Sequence, residues 1–418
     1  MKFINRLCIV MASIIILGYS YAFAETLDQT FQKLDNFIQN NMLEKNKSDA
    51  RVILGSERLL SEYSYLIDGK KIGLVTNQTA IDSNGISTIN KLKNYDKAKL
   101  VSLYSPEHGI DGKAKAGDYV KSYIDKNINL PVYSLYGDTR KPTPDMLKNI
   151  DVLIFEIQDI GSRTYTYMST LNYVMKAAHE NNIPIIVLDR PNPLGANIVE
   201  GPVVKDKYIT FVGVDNLALS HGMTAGELAM FFNRKIGSDL TVIPMLGYTR
   251  DMTWGDTGLK FVQTSPYIPD YKAAFLYMAT GMGETTGIRM SQNFSWVGGP
   301  NLDSNLYADK LNSYGLKGVY FKPAPTSTLG GVKVVITDEH TFNPAMTGIY
   351  TLMTANSIRP VTVLGEKNGK IPMFEKLWGG TSMSEALLSG KSPDEFIAGY
   401  QSELEEFKNI RSKYLIYK

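Results

Sequence analysis

Short apolar runs that end in polar residues recur through the first half of the chain, and this pattern constrains the fold more than any other feature. Such runs are typical of buried strands, and they stand at residues 71–75, 100–104, 151–155 and 183–188. Between the last two runs, apolar residues follow helical spacing at Tyr167, Leu171, Val174, Met175 and Ala178. Strands that alternate with helices predict an α/β fold with a mostly parallel sheet and right-handed crossovers.

We predict two domains after the N-terminal region. A Rossmann-like, mostly parallel sheet domain is expected over residues 52–262, and a smaller α+β auxiliary domain over residues 263–418. The first contains a capping box formed by Thr224 and Glu227, which predicts a helix start. No Gly-x-Gly-x-x-Gly motif follows its first strand, so the nucleotide-binding fingerprint of Rossmann domains is missing.

The C-terminal region carries its own strand and helix signals. Strand-like runs occur at 318–321 and 332–336, and two helices are predicted. The last helix begins at Ser392, where serine caps, Pro393 takes the first helical position and Glu395 completes a capping box.

The N-terminus predicts export. Lys2 and Arg6 precede an apolar run at 7–18, and Ala22-Phe23-Ala24 forms a small-x-small cleavage site, so residues 1–24 are predicted to be a signal peptide. A retained N-terminal anchor is the alternative. We expect the mature protein to be periplasmic or secreted, with a lead-in helix and linker over residues 25–51.

Composition excludes several function classes. The only cysteine, Cys8, lies in the signal peptide, so the mature chain has neither a disulfide nor a thiol nucleophile. The 44 Lys and Arg residues face 42 Asp and Glu residues, and removing Lys2 and Arg6 makes the two counts equal. No basic block and no metal-ligand spacing occur, so we expect no nucleic-acid partner, no metal and no other cofactor. The 25 tyrosines suit stacking on sugar faces, although tyrosine is also common in cores.

Polar residues follow the carboxyl ends of the predicted strands, where ligands bind in open parallel sheets. Glu107 is the first candidate for a catalytic group, because it follows a strand beside His108 and a carboxyl group there suits a general acid. Glu156 and Asp159 are candidates for the second group. His108 is a further catalytic candidate, which can donate a hydrogen bond to the substrate or hold Glu107. The alternative for each is a structural role, as a loop-ordering, capping or ion-paired side chain.

Ten further residues are predicted to bind substrate. They lie at strand ends, at the predicted helix start near residue 224 or in a glycine-rich loop, and they are Asn77, Lys113, Gln158, Arg163, Asp189, Arg190, Asn192, His221, Glu284 and Arg289. A structural role is again the alternative, and Asp189-Arg190 can simply tie its loop to neighbouring loops. We expect the 283–289 loop, from the second domain, to face Glu107.

A series of motifs in order carries a family resemblance from about residue 57 to the end. The motifs are Gly73-Leu74-Val75-Thr76-Asn77, Pro106-Glu107-His108-Gly109, Pro131-Val132-Tyr133-Ser134-Leu135-Tyr136-Gly137, Arg140-Lys141-Pro142-Thr143-Pro144, Ile157-Gln158-Asp159-Ile160-Gly161, Leu188-Asp189-Arg190-Pro191-Asn192-Pro193, Glu200-Gly201-Pro202 and His221-Gly222-Met223-Thr224. Taken together, they resemble the exo-β-N-acetylmuramidase family of the NamZ type, formerly a domain of unknown function.

The resemblance implies a Rossmann-like catalytic domain, an auxiliary domain and a site between them. It implies hydrolytic release of N-acetylmuramic acid from the non-reducing end of peptidoglycan fragments, with Glu107 as the leading catalytic residue. The lactyl carboxylate of that sugar needs a cationic partner, for which Lys113, Arg163 and Arg190 are candidates. A non-catalytic peptidoglycan- or sugar-binding protein is the alternative.

Two departures from the family pattern stand out. Ser220 occupies a position where the family usually has arginine. Residues 283–289 read Gly-Glu-Thr-Thr-Gly-Ile-Arg, where the family has a run similar to Asn-Leu-Ser-Glu-Gly-Arg-Gly-Thr. Retaining, inverting and substrate-assisted mechanisms all stay open at this stage.

Overall fold

A seven-stranded sheet organises the chain from residue 71 to residue 243. The computed structural model describes residues 51–418, so the predicted signal peptide and nearly all of the lead-in segment lie outside the described residues. The strands are β1 (Lys71–Thr76), β2 (Lys99–Ser105), β3 (Tyr123–Asp125), β4 (Leu130–Ser134), β5 (Val152–Glu156), β6 (Ile185–Leu188) and β7 (Leu240–Ile243).

The sheet order is β3-β4-β2-β1-β5-β6-β7, and only the β3–β4 pair is antiparallel. This confirms the predicted mostly parallel sheet. The chain passes from β1 to β2 on one side and later returns to β5 on the other side of β1. The strand order therefore reverses between β1 and β5, which makes that point the topological switch of the sheet.

Both faces of the sheet are covered, as its continuous apolar runs require. Along β5, Leu153 and Phe155 pack into one buried cluster, while Val152 and Ile154 pack into another on the opposite face. The helices in this part are α1 (Gly55–Glu62), α2 (Thr88–Lys93), α3 (Pro144–Leu147), α4 (Tyr167–Glu180) and α5 (Ala225–Ile236).

A smaller C-terminal part follows, with its own antiparallel sheet. Its strands are β8 (Arg289–Met290), β9 (Trp296–Gly299), β10 (Val319–Pro323) and β11 (Gly330–Ile336), in the order β10-β11-β9-β8. The antiparallel sheet and its helices confirm the predicted α+β character.

The helix content of this part exceeds the two helices that we predicted. Its helices are α6 (Tyr271–Thr280), α7 (Ser304–Ser313), α8 (Pro344–Ile358), α9 (Met373–Trp378), α10 (Ser382–Ser389) and α11 (Pro393–Arg411). The prediction failed for a physical reason at α6 and α8: these helices are buried on nearly all sides, so their sequences lack the one-sided apolar period that marks a surface helix. None of the helices in residues 51–418 combines the length and apolar character needed to cross a bilayer.

The predicted helix ends have the expected chemistry. Thr224 and Glu227 form the capping box of α5, and Ser392 and Glu395 form that of α11. The sequence Asn181-Asn182 favours a left-handed stop after a helix, and Asn182, just after α4, has a left-handed φ of 53°.

The C-terminal segment folds back onto the carboxyl end of β6. The Tyr417 hydroxyl donates to Asp189 Oδ2 at 2.6 Å, and the Ile416 amide donates to Glu227 Oε1 at 2.8 Å. Burial raises the pKa of Asp189 to about 6, and the hydrogen bond from Tyr417 is the largest influence that opposes this rise. The last residues of the chain therefore stabilise the ionised form of a buried strand-end carboxyl group.

We predict that Tyr417→Phe destabilises the protein more at pH 8 than at pH 5. Because the folded-state pKa of Asp189 is raised to about 6, its contribution to stability is fully present below the unfolded-state pKa and decreases as pH rises through 6. Removing the Tyr417 hydroxyl raises that pKa further. The loss in free energy of unfolding should therefore be greatest where Asp189 is ionised, about 1.5–3 kcal/mol at pH 8. Urea unfolding at both pH values measures it.

Tyr414→Phe is the control, because Tyr414 lies near the same end and packs its ring on Phe231. Its hydroxyl has no hydrogen-bond partner within residues 51–418. A loss for Tyr417→Phe that is equal at pH 5 and pH 8 would contradict the role given to Asp189.

Candidate active site

A pocket of about 550 Å³ opens beyond the carboxyl ends of β2 and β4. This volume lies in the range of small-ligand sites. Residues from the parallel-sheet part and from the C-terminal part line it together: Glu107, His108, Lys115, Ala116, Gly117, Asp118, Tyr136, Thr164, Tyr165, Thr166, Val212, Ser265, Pro266, Tyr267, Ile268, Tyr277, Glu284, Phe294, Met373 and Leu377.

Glu107, which follows β2, is the buried carboxylate of this pocket. Its Oε1 accepts a hydrogen bond from the Gly117 amide at 2.9 Å, and its Oε2 accepts one from the Thr166 hydroxyl, just before α4. The Tyr136 hydroxyl also interacts with this carboxylate. Donors therefore reach both oxygens, which holds the side chain in place.

His108 lies beside Glu107 with a left-handed φ of 70°. This conformation is uncommon for residues other than glycine. Its Nδ1 donates to the Ala114 carbonyl at 2.7 Å, so Nε2 is the ring nitrogen that remains for another partner. His108 also lines the pocket, and it can therefore bind or orient a ligand next to Glu107.

Tyrosine hydroxyls supply donors around the carboxylate. Burial, followed by the charge of Glu107, raises the pKa of Tyr136 to about 12. Burial also raises the pKa of Tyr277, on α6, to about 12, and the charges of both Glu107 and Glu284 act in the same direction. Both hydroxyls therefore stay protonated at neutral pH. Tyr165 and Phe294 add aromatic surface, which suits the apolar faces of a sugar ring.

Lys115 is the lysine that lines the pocket, together with the carboxyl groups of Asp118 and Glu284. Lys113, the lysine predicted from the sequence, lies outside it. Its side chain is 82% exposed, and its Nζ stands 3.5 Å from Asp111 Oδ2. The two lysines belong to one exposed loop, and the sequence offers no signal that separates them.

Glu156 and Arg190 form a buried ion pair away from the pocket. Arg190 Nη1 lies 2.7 Å from Glu156 Oε1, and the exposed fractions of the two side chains are 4% and 0%. Thr88 donates to the other oxygen of Glu156. Arg190 also donates to Gln158 Oε1 at 3.0 Å. These contacts favour the structural alternative for Glu156, Gln158 and Arg190 over the predicted acid–base and substrate-binding roles, because their polar atoms are taken by protein partners.

Asn77 belongs to the same buried region. Its Oδ1 accepts hydrogen bonds from the amide and the hydroxyl of Thr79 at 3.0 and 2.6 Å. Thr79 in turn accepts a hydrogen bond from the Gln158 amide at 3.0 Å. Asn77 therefore joins the ends of β1 and β5 and does not line the pocket.

Arg163 is buried among backbone carbonyls. Its guanidinium donates to the carbonyls of Pro202, Leu217 and Leu377 at 2.6, 2.9 and 2.6 Å. Burial lowers its pKa to about 9, which still leaves it charged at neutral pH. It connects the parallel-sheet part to α9, which favours a structural role over the predicted binding of a substrate carboxylate.

The remaining strand-end residues tie loops together. Asp159 Oδ2 accepts from the Gly161 amide at 2.9 Å and lies 3.2 Å from His221 Nε2. His221 Nδ1 accepts from the Met223 amide at 3.1 Å. Asn192 donates to the Met223 carbonyl at 3.1 Å. None of these side chains lines the pocket of Glu107.

Of the two candidates in the 283–289 loop, the structure places one in the pocket. Glu284 lines it with Glu107, whereas Arg289 is an exposed residue of β8 outside it. The expectation that this loop faces Glu107 therefore agrees with the position of Glu284.

Asp189, already described at the C-terminal segment, is also outside the pocket. No cluster of three or more His, Cys, Asp or Glu side chains within residues 51–418 is arranged to hold a metal ion.

Several pocket residues were missed, and one of them had a usable signal. Ser134 of β4 pairs with Ser105 of β2 in parallel register, so Tyr136 follows its strand as Glu107 follows β2. The strand-end position that marks Glu107 as a candidate marks Tyr136 in the same way. Thr166 precedes α4 and Tyr277 lies on α6, and no strand-end pattern points to them.

We predict that Arg190→Ala lowers the free energy of unfolding by about 3–5 kcal/mol, because Glu156 then stays buried without its cation. Lys141→Ala is the control. It removes an exposed pair in which Lys141 Nζ lies 2.5 Å from Glu180 Oε2, and such pairs contribute under about 1 kcal/mol. Chemical unfolding measures both. Wild-type stability together with weakened ligand binding in Arg190→Ala would restore the ligand role predicted from the sequence.

Comparison with family models shows similarity along nearly the whole described chain. Residues 72–272 match the model for the N-terminal part of the exo-beta-N-acetylmuramidase NamZ, and residues 275–417 match the model for its C-terminal part. The two models meet between residues 272 and 275. The boundary near residue 262 that we placed from the strand pattern stays a prediction.

Known proteins and solved structures give the same picture. The chain is 41% identical over 382 residues to the peptidoglycan beta-N-acetylmuramidase NamZ of Bacillus subtilis (strain 168), covering 88% of this chain and 92% of that protein. Two crystal structures of DUF1343 family proteins from Bacteroides fragilis NCTC 9343 are similar to it, with TM-scores of 0.79 and 0.65 and identities of 35% and 29%. Each match covers 88% of this chain and 99% of the other.

Proposed function

This chain belongs to the exo-beta-N-acetylmuramidase NamZ family, and we propose from this premise that it is a glycosidase that acts on peptidoglycan. We further propose that it releases N-acetylmuramic acid from the non-reducing end of peptidoglycan fragments, with Glu107 as a catalytic carboxylate. The observation that carries the proposal is the position of Glu107, which is buried in a sugar-sized pocket with donors at both of its oxygens.

The pocket suits the chemistry of glycosidic hydrolysis. That reaction needs a proton donor for the leaving oxygen and a negative group that faces the anomeric carbon as positive charge develops there. Glu107 is suited to the second role, because the Gly117 amide and the Thr166 hydroxyl both donate to it. His108 and Tyr136 stand beside it and can donate hydrogen bonds to the hydroxyl and acetamido groups of a bound sugar.

Lys115 is proposed to recognise the lactyl carboxylate of N-acetylmuramic acid. The carboxyl groups of Glu107, Asp118 and Glu284 also line the pocket, so an anionic sugar needs a cation to offset their repulsion. Within residues 51–418, no ion-pair partner occupies the Lys115 ammonium, which leaves it free for a ligand. This assignment replaces Lys113, Arg163 and Arg190.

Export of the protein is proposed from the N-terminal sequence alone. Residues 1–24 have the charged start, the short apolar run and the Ala22-Phe23-Ala24 cleavage motif of a secretory signal peptide. A periplasmic or secreted location would bring the enzyme to its peptidoglycan substrate.

We predict that Glu107→Gln lowers kcat by about 10²–10⁴-fold with little change in thermal stability. The amide keeps the shape of the side chain but removes its negative charge, and groups of this type contribute about that factor. The assay is product analysis on the disaccharide of N-acetylmuramic acid linked to N-acetylglucosamine, where the wild type should release free N-acetylmuramic acid. A near wild-type kcat in the variant would remove Glu107 from the mechanism.

We predict that Lys115→Met lowers kcat/KM about tenfold on N-acetylmuramic acid glycosides, as expected from the loss of one charge-assisted contact. Glycosides of N-acetylglucosamine, which lack the lactyl group, should be affected much less. Lys113→Met is the matched control, because it removes the same charge from the same loop outside the pocket. Equal effects of Lys115→Met on both sugars would show that this lysine does not read the lactyl carboxylate.

A further inference from the structure

Glu284 occupies a position in the pocket that the function proposed above leaves without a role. It lines the same pocket as Glu107 but comes from the C-terminal part, just before β8. No hydrogen bond or ion pair engages its carboxyl group within residues 51–418. A carboxyl group that faces a ligand pocket without a structural partner is available for chemistry.

The backbone around Glu284 forms a hydrogen-bonded turn. The Thr286 amide donates to the Gly283 carbonyl at 3.1 Å, which closes a four-residue turn with Glu284 and Thr285 at its centre. Glu284 has φ −55° and ψ 137°, and Thr285 has φ 67°. These angles match a type II β-turn, in which the third position requires a positive φ and normally takes glycine or asparagine.

Thr285 is a β-branched residue at that third position, so the turn carries backbone strain. Surrounding contacts hold the strained turn in place. The Thr286 hydroxyl donates to the Gly283 carbonyl at 2.5 Å, and the Thr362 amide donates to the Thr286 carbonyl at 3.0 Å. Strain retained beside an unpartnered pocket carboxyl group is typical of a functional site, because it fixes the direction in which Glu284 points.

Glu107 and Glu284 have contrasting environments. Hydrogen-bond donors reach both oxygens of Glu107, whereas no donor reaches the carboxyl group of Glu284 within residues 51–418. Burial raises the pKa of Glu284, even though much of this residue is exposed. Tyr277 stands within the electrostatic reach of both carboxyl groups. One carboxyl group that is fixed by hydrogen-bond donors and a second that lacks them can take the two different roles that a glycosidase needs.

We propose that Glu284 is the proton donor to the leaving sugar and that Glu107 acts as the partner carboxylate. This inference rests on the proposed glycosidase function and assigns the second catalytic group of the same site. It also revises the expectation that Glu107 itself is the general acid.

The proposed step balances in atoms and charge. The carboxyl O–H of Glu284 transfers its proton to the glycosidic oxygen, the bond from that oxygen to C1 breaks, and its electron pair stays on the oxygen of the departing sugar alcohol. The Glu107 carboxylate offsets the positive charge on C1. Water supplies the oxygen of the new bond at C1, and the proton that water loses restores the carboxyl pair.

The test compares leaving groups in the full-length enzyme. Glu284→Gln should lower kcat on the natural disaccharide by about 10²–10⁴-fold, because the sugar alcohol must be protonated as it leaves. On 2,4-dinitrophenyl N-acetylmuraminide the loss should be less than about tenfold, because that phenolate leaves without a proton. Glu107→Gln should lower kcat on both substrates, and Glu385→Gln, an exposed substitution on α10 outside the pocket, should change neither.

A second readout is the pH profile. The wild-type kcat/KM on the disaccharide should fall at alkaline pH as Glu284 loses its proton, and Glu284→Gln should remove that fall. The assignment of Glu284 would be overturned if Glu284→Gln lowered kcat equally on both substrates or did not lower it. It would also be overturned if Asp118→Asn, instead of Glu284→Gln, showed this dependence on the leaving group. A wild-type enzyme that cleaves neither substrate would instead overturn the proposed function, so the two failures are distinguishable.

Discussion

The buried ion pair between Glu156 and Arg190 determines where a ligand can enter this sheet. It lies at the ends of β5 and β6, next to the switch point between β1 and β5, where open α/β sheets usually bind their ligands. Here protein groups fill that place, since Arg190 also donates to the carbonyl of Ile81 at 3.1 Å. The pocket opens instead at the ends of β2 and β4, where Glu107 and Tyr136 lie.

The pocket also depends on how the two parts of the chain pack together. Arg163 binds two carbonyls of the parallel-sheet part and the carbonyl of Leu377 on α9. Leu377 and Met373 of that helix line the pocket. Arg163 therefore contributes to the site by positioning its wall. A buried arginine in this role has no freedom to bind a substrate carboxylate, which explains why a cation predicted for the ligand serves the fold instead.

The sequence predicted the strands and helix ends, because these depend on residues that are close together in the chain. The parallel strands, the capping boxes at Thr224 and Ser392 and the left-handed Asn182 are read from neighbouring residues, and they agree with the structure. Glu107 and His108 were found because they follow the end of a predicted strand. Helices α6 and α8 were missed because burial on all sides removes the period that sequence analysis needs.

The candidate site was predicted less well, for a reason that is also physical. A strand-end position selects residues at one edge of the sheet, but it does not show which of them contact a ligand and which pair with each other. Glu156 and Arg190 are 34 residues apart in sequence, and only the folded chain shows that their charges pair. Lys115 and Lys113 lie in one loop, and only the folded loop shows that Lys115 lines the pocket and Lys113 does not.

Ser220 is buried and donates to the Ile198 carbonyl at 3.0 Å, outside the pocket. Of the two departures from the family pattern, only residues 283–289 therefore place a residue in the pocket, and we expect differences in specificity from relatives to originate in the turn that holds Glu284.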